Sequence, residues 1–576
     1  MVEGVKKIPT QIKSERIDDL PVIIHWLKQM KVAEMIDENL EKPHGNRTGL
    51  SYGELAVLLL TYIISEGDHR MCCLETWVNE HQRSLEGITG WKIGEKEATD
   101  DRCGELLRTL GSSDSLDQIE RELCQYLVKA YELPTEKARS DTTSFSVHHQ
   151  IIEEQKESSL LKFGYSKDKR PDLRQYRQML ATLDPVGLPL LGMTLAGNGT
   201  DEKDYVPTWR KMTEILGKKD FLYLADSKAS SYENRAKIQA EGGNYCFPLA
   251  MSQPRPKLLA DWLSNPPNEM IKIVETEVGL GEKEIGSGFE VPLGSIWVDP
   301  ESKKRYQWNE RWLVVKSNAL ASRQIKGLGS RLIKGEEKLL SLQKRPGKDE
   351  KVLEQKVREA LQKLGLTRYI TYSIEKKQSY KKVYKGLGHR SVLSSYRRVR
   401  ETKLILSYTR LNAEIEAFKT IVGWRLYVTN TNKEQLSLTE AVSADQEQWQ
   451  PERGFHRFKK GRLSALPIYF RDEDKIKGLM FLLTIALRVF TLMEFVVRRQ
   501  LRQSQSSLAG LYDGNPKRST DRPTAEQMLK AFRNLTLYIE RDGKTEISCL
   551  NEVQQQILRL MNIPESIYTT DFFADG

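Results

Sequence analysis

Ala138-Arg-Ser-Asp-Thr-Thr-Ser-Phe-Ser-Val147 opens the part of the chain that decides the fold. The run is β-prone and has no helical period. After a polar loop come Gln175-Tyr-Arg-Gln-Met-Leu-Ala-Thr-Leu-Asp184, the turn Pro185-Val-Gly187 and Leu188-Pro-Leu-Leu-Gly-Met-Thr-Leu195, which read as two strands joined as a hairpin. A helix over 206–216, a strand over 221–226, a helix over 232–240 and a strand over 245–250 complete the series.

The order βββαβαβ is that of a ribonuclease H-like mixed sheet, and α/β is the expected class for a chain of several domains. Residues 1–130 read as an all-α N-terminal domain. Tyr52-Gly-Glu-Leu-Ala-Val-Leu-Leu-Leu-Thr-Tyr-Ile-Ile64 is helix-periodic there, and Ser113-Asp-Ser-Leu-Asp-Gln-Ile119 looks like a capped helix start. That region could bind DNA ends through a helix-turn-helix or be a plain helical bundle. The core then spans 131–251, is interrupted over 252–435 by a β-rich and helical insertion, and resumes over 436–500. Residues 501–576 hold a Ser/Gln-rich linker and a small α/β region.

A chain of 576 residues needs several cores. With 39% hydrophobic and 29% charged residues it has the composition of a soluble globular protein. Its longest apolar stretch, 478–487, is too short to span a bilayer and reads as a buried core helix, so no membrane partner is expected. Met1-Val-Glu-Gly-Val-Lys-Lys7 carries no export signal, which leaves the cytoplasm as the expected compartment. Six cysteines at 72, 73, 103, 124, 246 and 549 fit neither a disulfide framework nor a zinc module. The net charge of +10 is concentrated: residues 303–410 hold 29 lysines and arginines against 9 acids, an excess of 20 that leaves the rest of the chain at about −10. Such a segment attracts a polyanion, with DNA the expected partner and Lys376, Lys377, Lys381 and Lys382 its densest cluster.

Asp141 lies within the first core strand, and Asp226 ends the apolar run that starts at Phe221, at a carboxyl end of the sheet where α/β sites form. Cutting a phosphodiester with water, or attacking one with a 3′-hydroxyl, needs an oxygen nucleophile at neutral pH and a stabilised leaving oxyanion. Two Mg²⁺ or Mn²⁺ ions about 4 Å apart, held by carboxylate oxygens, provide both. A third acid is therefore required. In Trp449-Gln-Pro-Glu-Arg-Gly-Phe-His-Arg-Phe-Lys459, Pro451 suits a first helical turn, and Glu452, Phe455, His456 and Lys459 fall at one-face spacing.

These stretches together resemble the insertion-sequence DDE transposases, whose ribonuclease H-like core is split by a mostly β insertion before the glutamate. The likeness rests on Ser140-Asp-Thr-Thr143, Gly164-Tyr-Ser-Lys-Asp-Lys-Arg-Pro-Asp-Leu173, Gly197-Asn198 with Asp201, the strand ending at Asp226, and Pro451-Glu-Arg-Gly-Phe-His-Arg-Phe-Lys459. The N-terminal helical region and the C-terminal Thr524-Ala-Glu-Gln-Met-Leu-Lys530 unit also look like the family's.

The resemblance implies that Asp141, Asp226 and Glu452 are the catalytic, metal-holding acids, with two Mg²⁺ or Mn²⁺ ions per active site. It implies DNA contacts by Lys459, Arg453 and Arg457 of the glutamate helix and by Lys167 and Arg170 of the Gly164 block. It also implies double-stranded DNA partners, both element ends and target, a homodimer in the DNA-bound complex, and a nucleoid-associated bacterial-type protein. The family's Tyr and Arg, seven and four residues before the glutamate, are replaced by Asp445 and Gln448, so that pair's grip on terminal phosphates or a flipped base is not carried over. Two alternatives stand beside the transposase: a nuclease of the same fold without strand transfer, and a non-catalytic DNA-binding derivative.

Overall fold

Two of the helices near the N-terminus start where a short polar side chain accepts one of their first free N–H groups. Ser51 accepts from the Glu54 amide while the Glu54 carboxylate accepts from the Ser51 amide at 2.9 Å, and Thr99 caps the next long helix through the Arg102 amide. The computed structural model describes residues 13–43, 48–148, 159–277, 281–384, 395–446, 449–539 and 545–569. After strand β1 (Lys13–Arg16) come α1 (Leu20–Gln29), α2 (Val32–Asn39), α3 (Tyr52–Glu66), α4 (Met71–Glu80), α5 (Gln82–Thr89), α6 (Asp100–Ser112) and α7 (Leu116–Ala130). The core series follows as β2 (Lys137–Val147), β3 (Arg174–Asp184), β4 (Leu188–Ala196), α8 (Tyr205–Leu216), β5 (Leu222–Leu224), α9 (Tyr232–Ala240) and β6 (Asn244–Leu249).

Next in the chain are α10 (Arg255–Ser264), β7 (Ile271–Glu277), β8 (Gly281–Val298), β9 (Arg305–Ser317), α11 (Asn318–Lys344), α12 (Glu350–Leu364), β10 (Ile370–Tyr384), β11 (Tyr396–Arg410), α13 (Asn412–Ile421) and β12 (Trp424–Thr429). The chain closes with α14 (Leu438–Gln446), α15 (Trp449–Lys460), α16 (Glu473–Gln503), β13 (Leu508–Ala509), β14 (Ser519–Thr520), α17 (Ala525–Lys530), β15 (Thr536–Ile539), β16 (Thr545–Ile547) and α18 (Glu552–Leu560). The molecule is a mixed α/β, multi-domain protein. It divides into two compact units, one made of residues 1–247, 294–308 and 443–576, the other of 248–293 and 309–442.

In the first unit the strand order is β4-β3-β2-β5-β6, with β2 antiparallel to β3 and parallel to β5. Its central helix is α16. By length and composition alone that helix could cross a membrane, yet 94% of its apolar window is buried inside the protein. Gly478 lets it touch α6: a Cβ there would stand 2.1 Å from the Leu107 carbonyl oxygen. The N-terminal region is not purely helical as expected. β1 pairs antiparallel with β15, Lys13 opposite Ile539 and Arg16 opposite Thr536, so β1, β15 and β16 form one three-stranded sheet from stretches more than 500 residues apart. Four residues of Lys-Ser-Glu-Arg give no alternation of apolar and polar side chains, and the pairing is the work of backbone groups.

The second unit holds a sheet of order β12-β9-β8-β7 and a separate helical hairpin, α11 and α12, ended at Lys344 by Pro346 and Gly347. Leu328, Leu339, Leu353, Val357 and Leu361 of these helices pack with Ile370, Leu404 and Leu406 of the two-stranded ribbon β10/β11.

Asp19 at the start of α1 is buried against Ser65, whose hydroxyl donates to it at 2.6 Å, with Arg462 3.8 Å away. Burial outweighs both partners and pushes its carboxyl up to about 6. Because the folded value lies above the unfolded one, the folded state binds the proton more tightly; this contribution is complete below about pH 4 and is lost as pH rises through 6. Asp19→Asn is therefore expected to gain about 3 kcal/mol on wild type between pH 4 and pH 7, from roughly two pH units at 1.4 kcal/mol each. Urea midpoints of the two chains across that range check it, and parallel curves would refute it.

Candidate active site

β2 and β5 run parallel with Arg139 opposite Leu224. That is the last paired position, and Asp141 and Asp226 each follow it by two residues in the chain. The strand expected over 221–226 is shorter. It ends at Leu224, and Asp226 instead caps the 3₁₀ turn Ser227–Ser230, accepting from the Lys228 amide at 3.0 Å. The Tyr205 hydroxyl, at the start of α8, donates to the same Oδ1 at 2.5 Å. Asp141 Oδ1 accepts from the Thr142 amide at 2.7 Å.

α15 packs on β2 and β3 and carries Glu452 in its first turn, exposed. Burial pushes the Asp141 carboxyl up to about 6, and the negative charges of Asp226 and Glu452 both push in the same direction, against the pull of Lys167. The Tyr205 hydroxyl, raised far above its ordinary value first by burial, also feels Asp226 and Asp141. The three acids thus share one electrostatic neighbourhood. Among the described residues, no donor bonds to Asp141 Oδ2, Asp226 Oδ2 or the Glu452 carboxylate, and no three His, Cys, Asp or Glu side chains are already drawn up to hold a metal. The donor set consists of hard oxygens, the kind that Mg²⁺ and Mn²⁺ take, and one oxygen of each Asp is left open.

A cleft of ≈ 330 Å³ lies along this edge, lined by Thr142, Tyr165, Lys167, Arg177, Asp201 and Lys228. Asp201 is its hub, with Lys228 Nζ at 2.5 Å, Arg177 Nη1 at 3.0 Å and Lys167 Nζ at 3.8 Å. Burial alone would raise the Asp201 carboxyl, but Lys228, Lys167 and Arg177 together hold it below its ordinary value. Gly197 is needed for the turn that places Asp201, since a Cβ there would stand 1.9 Å from the Gln175 carbonyl oxygen. Tyr205, Lys228 and Arg177 were not foreseen from the sequence. The only signal was that Tyr205 opens a helix four residues after Asp201 and that Lys228 follows Asp226 by two.

Several expected DNA contacts are instead engaged within the protein. Arg457 is buried and held between Glu494 and Glu526, the latter at 2.8 Å, which makes it a packing residue. Arg453 reaches Glu494 at 2.8 Å. Lys459 pairs with Asp168 at 3.0 Å and sits over the Phe145 ring, while Arg170 pairs with Asp172 at 2.6 Å. Lys167 donates to the Thr142 carbonyl oxygen. On α15, Phe455 does not share an open face with Glu452 and His456; it turns inward with Phe458, and those two polar residues are exposed. In the second unit, Lys376 pairs with Glu350 at 2.5 Å, and Lys377, Lys381 and Lys382 are exposed. The side chain of Asp445 and all of Gln448 lie outside the described residues.

No family model matches the chain, and no curated protein matches it. Among solved structures it is similar to a piggyBac transposase synaptic complex with hairpin DNA determined by cryo-EM, at 11% identity and a TM-score of 0.25, over 52% of this chain and 63% of that one.

Proposed function

We propose that the first unit is the catalytic part of a DNA transposase with a ribonuclease H-like core, which cleaves DNA at the ends of a mobile element and transfers the freed 3′-hydroxyls to target DNA. The observation that carries this reading is Asp141 on β2 and Asp226 two residues past the end of its parallel neighbour β5, with α15, which carries Glu452, packed on β2. Asp141, Asp226 and Glu452 would hold two Mg²⁺ or Mn²⁺ ions, which supply a hydroxide nucleophile and neutralise the leaving oxyanion when bound. The protein's own groups prepare the acids for this. Tyr205 and the Lys228 amide both bond to Asp226 Oδ1, which fixes the rotamer and leaves Oδ2 open. Lys167 and Lys228 line the adjoining cleft, where their ammonium groups can receive a phosphate. An element has two ends and each chain one such trio, so two copies acting on paired ends complete the proposal.

The test uses the genomic DNA flanking this reading frame as labelled duplex, with Mg²⁺ and an unlabelled second DNA. Labelled ends covalently joined to the second DNA are expected. Cleavage without joining favours a nuclease, and binding without cleavage a non-catalytic DNA-binding protein.

Exposed lysines on the ribbon of the second unit should contribute through phosphates. Replacing Lys377, Lys381 and Lys382 with Ala is expected to flatten the slope of log affinity against log salt by about 0.9 per lost contact. Lys376 should contribute less, since Glu350 already neutralises it. A slope unchanged in the triple variant would make the cluster a solvated face only.

A further inference from the structure

The ribbon β10/β11 extends past its own core. Its last buried side chain is Leu404, and from Glu375 to Val383 and from Tyr396 to Lys403 the residues are exposed apart from the half-buried Ser379. The register sorts these side chains onto two faces. On one face, successive rows are Tyr380 opposite Arg400, Lys382 opposite Arg398, and Tyr384 opposite Tyr396. That face carries three tyrosines, three cations and no acid from Tyr380 outward. The other face carries Lys381 opposite Val399, Val383 opposite Arg397, and Glu401.

Part of the aromatic ladder has an ordinary structural role. Tyr384 and Tyr396 have ring centroids 5.6 Å apart, and Lys382 Nζ lies 4.5 Å from the Tyr396 centroid. Cross-strand pairs of this kind stabilise a two-stranded ribbon. They do not account for Tyr380, which is 67% exposed, or for Tyr396, still 40% exposed. Phosphate binding alone does not account for them either, because cations suffice for that. A ring face open to solvent between cations suits a ligand with its own flat face and an anionic backbone. In an intact duplex the base faces are stacked on one another, whereas unpaired nucleotides offer them.

We propose that this face of the ribbon binds single-stranded DNA, with bases stacked on Tyr380 and on the Tyr384/Tyr396 pair and the backbone phosphates at Lys382, Arg398 and Arg400. Same-face rows are about 6.8 Å apart, so the cationic row lies midway between two aromatic platforms about 14 Å apart. The inference rests on the DNA reading above and adds which form of DNA the second unit takes.

The test is fluorescence anisotropy of the full chain at fixed salt, with a labelled mixed-sequence strand of about 20 nucleotides and with its blunt duplex. Tyr380→Ala is expected to weaken single-strand binding roughly 5- to 150-fold, with duplex binding changed less than about twofold, and Tyr380→Phe should retain wild-type affinity. Three outcomes overturn the proposal: unaltered single-strand binding by Tyr380→Ala, equal losses for strand and duplex, or a Tyr380→Phe loss as large as that of Ala. A wild-type chain that binds duplex but not single strand also overturns it and leaves the DNA reading standing. Failure to bind either form overturns both.

Discussion

Asp226→Asn is expected to lower DNA cleavage by about a thousandfold or more while leaving DNA affinity within about twofold. The amide is isosteric and keeps an oxygen that can accept from the Tyr205 hydroxyl and the Lys228 amide, so the turn Ser227–Ser230 should hold its shape. What disappears is the negative charge and one hard ligand oxygen. A divalent ion is worth several kcal/mol of transition-state stabilisation, and about 4 kcal/mol is a factor of a thousand in rate. Affinity should not fall, because a carboxylate contributes no attraction to phosphate. Glu452→Gln should behave the same way although Glu452 is exposed and far away in sequence. Cleavage by either variant at more than a tenth of the wild-type rate would remove that acid from the proposed trio.

Glu120→Ala is expected to cost about 3–5 kcal/mol of stability, the largest effect we anticipate from a substitution away from the candidate site. Glu120 on α7 forms an ion pair with Arg488 on α16, and both side chains are almost wholly buried. Arg488 also donates to the carbonyl oxygens of Pro189 at 2.9 Å and Leu190 at 3.1 Å, and Glu120 accepts from the Gly192 amide at 3.1 Å. The pair therefore ties two helices to β4. Removing the acid alone leaves a guanidinium in the core with no counter-charge. Replacing both, as Glu120→Leu with Arg488→Met, should recover most of the loss, since neither charge then has to be taken out of water. Urea unfolding of the single and double variants measures this. A single-variant cost below about 1 kcal/mol would mean that Arg488 finds water or another partner.

Much of the core was legible because its signals are local. The helices expected over 206–216 and 232–240 are found at Tyr205–Leu216 and Tyr232–Ala240, and Asp141 and Asp226 stand out as acids within a β-prone run and at the end of an apolar one. What could not be read depends on partners far off in sequence. Arg457 looks like a phosphate contact until Glu494 and Glu526, from two other helices, close on it. Asp201 was noticed beside Gly197, but its hold on Lys228 and Arg177 joins residues 27 and 24 positions away. The four-residue strand β1 carries no hydrophobic pattern and is defined only by the partner it finds.

That pairing has a consequence for how the protein is made. β1 ends at Arg16, but its partner strand begins at Thr536, so some 520 residues must be added before the two can meet. At 5–20 residues per second this is roughly half a minute to two minutes. During that interval Lys13–Arg16 is an unpaired edge, and Asp18 lacks the Asn534 amide that it later accepts at 2.8 Å. A product released before Thr536 keeps that edge unpaired and exposes it to proteases, whereas a chain that includes β15 covers it. Pairing with β15 thus acts as a check that translation has passed residue 539.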